Sequence, residues 1–255
     1  VKGYPLKEEI IYGFNPIMEA LRSGRRAFEL FVAEGTSDKR MEKLLELAGE
    51  KGIPVRKRER KDITGLCGTD FHQGLALKVE PFAYADLDDV VSRCRESGQG
   101  GLLLVLDGVQ DPHNLGALIR TAACSGAHGV IIPKDRAAGI TPTVEKASAG
   151  AVETIPVAQV VNIAQTLEVL KKEGFWIFGA TSDSRSALYE QDFTGNVALV
   201  IGSEGEGIRP LVLKKCDILF SIPLLGGVSS LNASVAGGVI LFEIVRQRLI
   251  KGSSR

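Results

Sequence analysis

Nothing in this sequence sets two cysteines at the spacing of a metal-binding or redox pair. Cys67, Cys94, Cys124 and Cys216 form no Cys-x-x-Cys motif, and no histidine falls at ligand spacing. The common zinc frameworks are thereby excluded, and no metal ligand set is expected. Reduced, mostly buried thiols in a cytosolic protein are the expectation. No apolar run reaches the ~18 residues of a membrane span. No signal-peptide core opens the chain either, so a soluble, cytoplasmic protein with no membrane partner is expected. The first residue is Val1 rather than methionine, as expected of a chain that begins inside a longer gene product. Net charge is missing too: 31 Lys+Arg balance 31 Asp+Glu, so no global field draws the protein to nucleic acid. With 44% apolar, 24% charged and 6% aromatic residues, a disordered tail, a coiled coil and a collagen-like fibre are excluded.

What is present is enough chain for more than one domain. At ~150 residues per domain, 255 residues suggest about 1.7 domains. The 29 glycines fall mostly after residue 95, where tight turns bring backbone close to a ligand. Residues 1–81 hold 15 basic against 13 acidic residues. The basic ones cluster: Arg22, Arg25 and Arg26, then Lys39 and Arg40, then the run Arg56, Lys57, Arg58, Arg60 and Lys61. That run reads either as an RNA-binding patch or as a solvated edge that blunts a strand.

The division expected is a small α/β domain at 1–81, a linker at 82–101 and a larger α/β domain at 102–255. In the first, a helix follows Asn15-Pro16, and strands are expected at 28–33, 53–58 and 75–79. An amphipathic helix at 37–49 carries Met41, Leu44, Leu45 and Ala48 on one face. A linking helix at 86–96 precedes a flexible break at 97–101. Apolar strands at 102–106, 129–133, 154–157, 176–180, 197–201 and 218–222 alternate with helices at 114–125, 160–173, 210–215 and 232–249. This pattern describes a mainly parallel sheet covered on both faces. In such sheets ligands sit at the carboxyl ends of the strands.

Three clusters of unusual residues lie at those ends. After the strand at 102–106 come Asp107, Gly108, Asp111, Pro112, His113 and Asn114, with Asn114 standing where a helix cap belongs. Gly116 inside that helix costs about 1 kcal/mol of propensity, which suggests close packing against it. Arg120 shares its face; alone, Arg120 reads as a solvated arginine and His113 as a turn residue. After 197–201 come Gly202, Ser203, Glu204, Gly205, Glu206 and Gly207. Two carboxylates at its tip disfavour a phosphate cradle. After 218–222 come Pro223, Leu224, Gly226, Gly227, Ser229, Ser230, Leu231 and Asn232, then the small residues Ala233, Ser234, Ala236, Gly237 and Gly238. Ser230 or Asn232 could cap the last helix, and the small surface suits close packing against a neighbouring segment or subunit.

Together, Asn114-x-Gly116-x-x-x-Arg120, Ile201 to Gly207 and Ile222 to Asn232 resemble the three motifs of the SpoU/TrmH branch of the SPOUT RNA methyltransferases. The likeness covers roughly 102–249 and extends to the N-terminus through Tyr12 to Leu21. Leu224 stands where the family often has methionine. The resemblance implies an α/β catalytic domain with a deep trefoil knot, preceded by a small ribosomal-type (L30e-like) α/β substrate-binding domain. It implies S-adenosylmethionine held largely by main chain at Gly202, Ile222 and Leu231, with Leu224 beside them and Thr181 closing the adenine side. It implies methyl transfer to a ribose 2′-hydroxyl, with Arg120 central and Asn114, Glu204, Ser230 and Asn232 around it. A guanidinium is nearly always a donor. Arg120 is therefore either depressed by burial or a clamp on the target phosphate and developing oxyanion. The two-domain layout looks most like members acting on a guanosine of large-subunit (23S) ribosomal RNA, with a transfer-RNA guanosine as the alternative.

The resemblance also implies a homodimer, and the apolar surface all around 232–249 agrees. RNA would be drawn by Arg56, Lys57, Arg58 and Arg60. Two rivals belong to other classes. A non-enzymatic RNA-binding module is opposed by the complete set Arg120, Glu204, Ser230 and Asn232. A dinucleotide-dependent oxidoreductase is opposed by the absence of the glycine fingerprint and its later acidic residue.

Overall fold

A computed structural model describes residues 8–35, 39–98 and 100–252. Ser37, where the second helix was expected to begin, and Gln99 of the expected break lie outside the described residues. The chain forms two compact units: Val1–Ala83 with Ile140–Thr154, and Tyr84–Gly139 with Ile155–Arg255.

The first unit is built on a four-stranded sheet of order β1-β4-β2-β3. β1 (Glu9–Tyr12) is antiparallel to β4 (Leu75–Val79), β4 is antiparallel to β2 (Ala27–Ala33), and β2 is parallel to β3 (Val55–Arg58). One face packs under α1 (Phe14–Ser23) and α2 (Lys39–Glu50), burying Ile11, Ile17, Leu21, Leu30, Leu44 and Leu77. The other face holds a smaller cluster of Phe31, Ala33, Ala76 and Ile63, the last on α3 (Arg60–Cys67). All four residues of β3 are exposed, as an edge strand carrying charge allows.

This unit takes in a segment from far along the chain, a difference from the contiguous division at residue 81. α6 (Pro142–Ala147) and the turn after it bring Glu145 and Glu153 to Arg25 at 2.9 and 2.8 Å. Glu9 completes the cluster at 3.0 Å. Arg25, which the sequence places in a basic cluster with Arg22 and Arg26, therefore has a buried side chain. A lone buried guanidinium would be very costly, and three carboxylates offset that cost.

The second unit is a six-stranded parallel sheet of order β10-β8-β9-β5-β6-β7. β5 (Leu102–Asp107) and β9 (Val197–Gly202) are central and entirely buried, paired so that Asp107 lies opposite Gly202. β6 (Gly129–Pro133) and β7 (Val157–Val160) extend one side, β8 (Trp176–Ala180) and β10 (Ile218–Phe220) the other. β7 starts three residues later than expected because a 3-10 turn at Ala151–Glu153 and then Pro156 precede it.

The expected linker is structured in part: α4 (Leu87–Glu96) buries Val90, Val91 and Cys94 in this unit's core with α7 (Ile163–Lys172). α5 (Pro112–Cys124) and α9 (Ala233–Gly252) pack together, with Gly237 of α9 so close to Leu118 and Ile201 that a Cβ there would collide. The expectation of mostly buried thiols is corrected: Cys94 is buried, Cys67 and Cys216 are half-buried and Cys124 is exposed. Burial pushes the Cys94 thiol to about 11 and, with the nearby Asp217, the Cys216 thiol to about 12. Among the described residues, no helix is long and apolar enough to cross a membrane.

Candidate active site

The carboxyl ends of β8, β9 and β10 open into one cavity of about 440 Å³, within the size range of small-molecule sites. β9 ends at Gly202 because the chain must fold back on itself there. Ser203 and Gly207 exchange two backbone hydrogen bonds of 3.1 Å, with Gly207 at φ 67. A Cβ on Gly202 would strike the Gly207 carbonyl and the Ile208 nitrogen. The glycine thus serves the loop's own folding, and the exposed tip carries Glu204 and Glu206. Thr181 follows β8, its N–H donating to Phe220 O at 2.9 Å. After β10, the exposed stretch through Leu224, Ser230 and Leu231 closes the cavity.

All five residues expected to hold a cofactor, Gly202, Ile222, Leu231, Thr181 and Leu224, line this one cavity, as do Glu204 and Ser230. Asp183, Glu204 and Glu206 supply carboxylates, and among the described residues no lysine or arginine lines it. Such a lining suits a cationic ligand with apolar parts and repels a phosphate.

Asn114 stands behind the rim. The expected capping role is corrected: Asp111 caps α5, accepting from His113 N at 2.9 Å, and Pro112 takes the first turn. Asn114 is instead buried inside the helix, and its amide is free for tertiary bonds. Its Nδ2 donates to Glu204 Oε1 at 2.5 Å, and its Oδ1 accepts from Asn232 Nδ2 at 3.0 Å. Asn232 also caps α9, its Oδ1 accepting from Ser234 N at 2.9 Å and from Val235 N at 3.3 Å. One relay thus joins the three motifs.

Arg120 is not brought to the cavity. Six residues beyond Asn114, it lies about 9 Å further along the axis and on another face of α5. It is exposed and has no side-chain partner among the described residues. The burial required by one of its two readings is absent from the single chain. Arg56, Lys57 and Arg58 lie on β3 and Arg60 begins α3, all exposed in the first unit; Arg56 is tied to Glu29 by an ion pair.

Asp107 has a structural role that none of the three motifs assigns. Fully buried at the end of β5, it accepts from Arg209 N and Nε, both at 2.8 Å, and from Arg209 Nη2. This clips the far end of the Glu204 loop to the central strand. The signal was legible: an otherwise wholly apolar strand ending in a carboxylate needs a partner.

The SpoU rRNA Methylase family model matches residues 101–242, and the model for RNA 2'-O ribose methyltransferase substrate binding matches residues 10–85. The chain is 44% identical over 246 residues to the 23S rRNA (guanosine-2'-O-)-methyltransferase RlmB of Ralstonia nicotianae, covering 96% of this chain and 98% of that protein. It is 42% identical over 247 residues to the RlmB of Pseudomonas putida, covering 95% and 98%. Among solved structures, the SpoU methyltransferase AviRb from Streptomyces viridochromogenes in complex with AdoMet superposes with a TM-score of 0.80 at 26% identity, over 95% of this chain and 91% of that one.

Proposed function

Because the chain belongs to the SpoU rRNA methylase family, we propose that it methylates the ribose 2′-hydroxyl of a guanosine in 23S ribosomal RNA, using S-adenosylmethionine. The observation that carries this reading is the cavity at three strand ends, lined among the described residues by carboxylates and by no lysine or arginine, with the Glu204–Asn114–Asn232 relay at its rim. The near-full-length likeness to two 23S rRNA guanosine enzymes supports the target.

The cavity fits the cofactor by charge and by shape. Asp183, Glu204 and Glu206 favour a sulfonium and an ammonium, and Gly202 and Ile222 line the same cavity. When bound, S-adenosylmethionine supplies a methyl on a cationic sulfur that leaves as a neutral thioether. The chain's own task is alignment and proton removal. Ser230 would orient the ribose hydroxyl. Glu204, held through Oε1 by Asn114, would offer Oε2 to its proton. Arg120, exposed and outside this chain's cavity, would clamp the target phosphate. Arg56, Lys57, Arg58 and Arg60 would hold RNA on the first unit.

A homodimer and the deep knot belong to the same reading. α9 exposes Val235, Val239, Phe242 and Leu249, a stripe at coiled-coil-like spacing that a second copy would cover. The knot rests on the family likeness. A bacterial cytoplasm, where ribosomal RNA lies, is the compartment it implies. Sedimentation at micromolar concentration should show a dimer. Treating ribosomal and transfer RNA in parallel with the protein and cofactor, then digesting each for mass spectrometry, should place one methyl on a guanosine ribose of the ribosomal RNA. A methyl on a base would overturn the reaction, and one on transfer RNA alone would overturn the target.

A further inference from the structure

Residues 68–74 of the first unit form a turn whose polar side chains are all tied down. Gly68 ends α3 at φ 66. Asp70 Oδ1 accepts from Thr64 Oγ1 at 2.9 Å, and Thr69 Oγ1 accepts from Phe71 N at 3.3 Å. His72 is fully buried, with Nε2 3.0 Å from Thr64 Oγ1 and Nδ1 accepting from Gly74 N at 3.0 Å. Gln73, at φ 57, accepts through Oε1 from Phe14 N at 3.0 Å and from Lys146 Nζ at 2.8 Å. Between these anchors Phe71 faces solvent, 79% exposed.

A lone exposed phenylalanine is ordinary; its neighbours set this one apart. At the end of β2, Ala33 N donates to Gly74 O at 2.8 Å and Glu34 N donates to Arg58 O at 3.0 Å. The turn and the end of β3 therefore lie at one end of the sheet, with Arg60 opening the helix that leads into the turn. Burial first, then the charge of Arg60, holds His72 below its usual pKa, with the Asp70 carboxylate opposing and Lys146 adding to the shift. Arg58 and Arg60 are exposed without a side-chain partner among the described residues, whereas Arg56 is paired with Glu29 and Lys61 with Glu59.

We propose that Phe71 is a stacking platform for an unpaired base of the substrate RNA, with Arg58 and Arg60 holding the adjoining phosphates. This rests on the reading of the chain as an RNA methyltransferase. Unpaired bases present a π face that an aromatic ring covers, whereas a duplex hides it in its stack. A ring on a turn fixed by its neighbours loses little freedom on binding. The target region is thus recognised as a loop or bulge, not as a continuous helix.

The test uses the full-length protein and fluorescence anisotropy with a short single-stranded oligoadenylate and a blunt RNA duplex of equal length. The single strand should bind more tightly. Phe71→Ala should weaken it about tenfold, with the salt dependence and the affinity for S-adenosylhomocysteine unchanged, and Phe71→Trp should retain binding. Replacing Arg58 and Arg60 by Ala should lower the salt slope. Equal binding of the duplex, a Phe71→Ala protein that binds like wild type, or a Phe71→Trp protein as weak as Phe71→Ala would each overturn the platform. Those outcomes would leave ribose methylation by the wild type standing. Failure of ribose methylation, with the stacking result intact, would overturn the function and spare the platform.

Discussion

Asn114 and Glu204, separated by 90 positions in the chain, share a hydrogen bond of 2.5 Å from Nδ2 to Oε1. The bond ties the loop after β9 to the start of α5 and fixes one carboxylate oxygen. Asn114→Asp would set a second carboxylate against Glu204 while keeping the volume. Turnover should fall about 100-fold, the scale of a lost acid–base contribution, with cofactor affinity little changed. Single-turnover methylation beside calorimetric titration checks this; an unimpaired Asn114→Asp would show that the bond does no catalytic positioning.

Removing the partner of Asp107 should act on stability and cofactor together. Arg209→Ala leaves a fully buried carboxylate with only the Arg209 backbone N–H. Stability should drop by about 3 kcal/mol, and S-adenosylhomocysteine should bind more weakly as the cavity wall loosens. Urea denaturation and calorimetry read the two effects.

Gly202→Ala should abolish cofactor binding at the smallest possible change. The new methyl collides with backbone rather than with a movable side chain, so the loop must open. A stability loss of about 1–3 kcal/mol should accompany it, as for other overpacked sites. Wild-type affinity in a folded Gly202→Ala protein would show that cofactor binding does not depend on this fold-back of the loop.

Arg120→Ala should fold normally, within about 0.5 kcal/mol of wild type, because the side chain is exposed and unpartnered among the described residues. It should keep cofactor affinity and lose methyl transfer. Arg120→Lys should fail as well, since a point charge cannot replace a bidentate fork. Full activity in either variant would remove Arg120 from the reaction.

Glu145 should make stability depend on pH near neutrality. Burial, only partly opposed by an Arg25 shared among three carboxylates, lifts its carboxyl to about 7. In the unfolded chain it titrates near ~4.3. Between those values the folded state holds a proton that the unfolded chain has released, so this group's contribution to stability falls as pH rises. Glu145→Gln should flatten that slope between about pH 5 and 7, as measured by denaturation across buffers. An unchanged slope would place the titration elsewhere.

The parallel sheet was legible because most of its strands are short apolar runs, as a sheet buried on both faces demands. β6 and β8 match their expected bounds for that reason. β1 and α3 were not legible. Glu9–Tyr12 is too short to show a period, and Arg60–Cys67 buries only Ile63, so packing rather than pattern makes both. The Asn114 cap was misplaced by three residues because Asp111-Pro112 is an equally good helix start.

The amino-acid order alone determined the three motifs, the strands that deliver them and the residues that line one cavity, since each is a local matter of apolar run, glycine and polar turn. Only the tertiary structure decided which distant residues answer one another. Asp107 meets Arg209, Asn114 meets both Glu204 and Asn232, and Arg25 is buried among carboxylates from two separate stretches. A charge or amide carries no mark in the sequence of whether it will be buried. Its partner is fixed by the desolvation that packing imposes, and packing is a property of the whole chain.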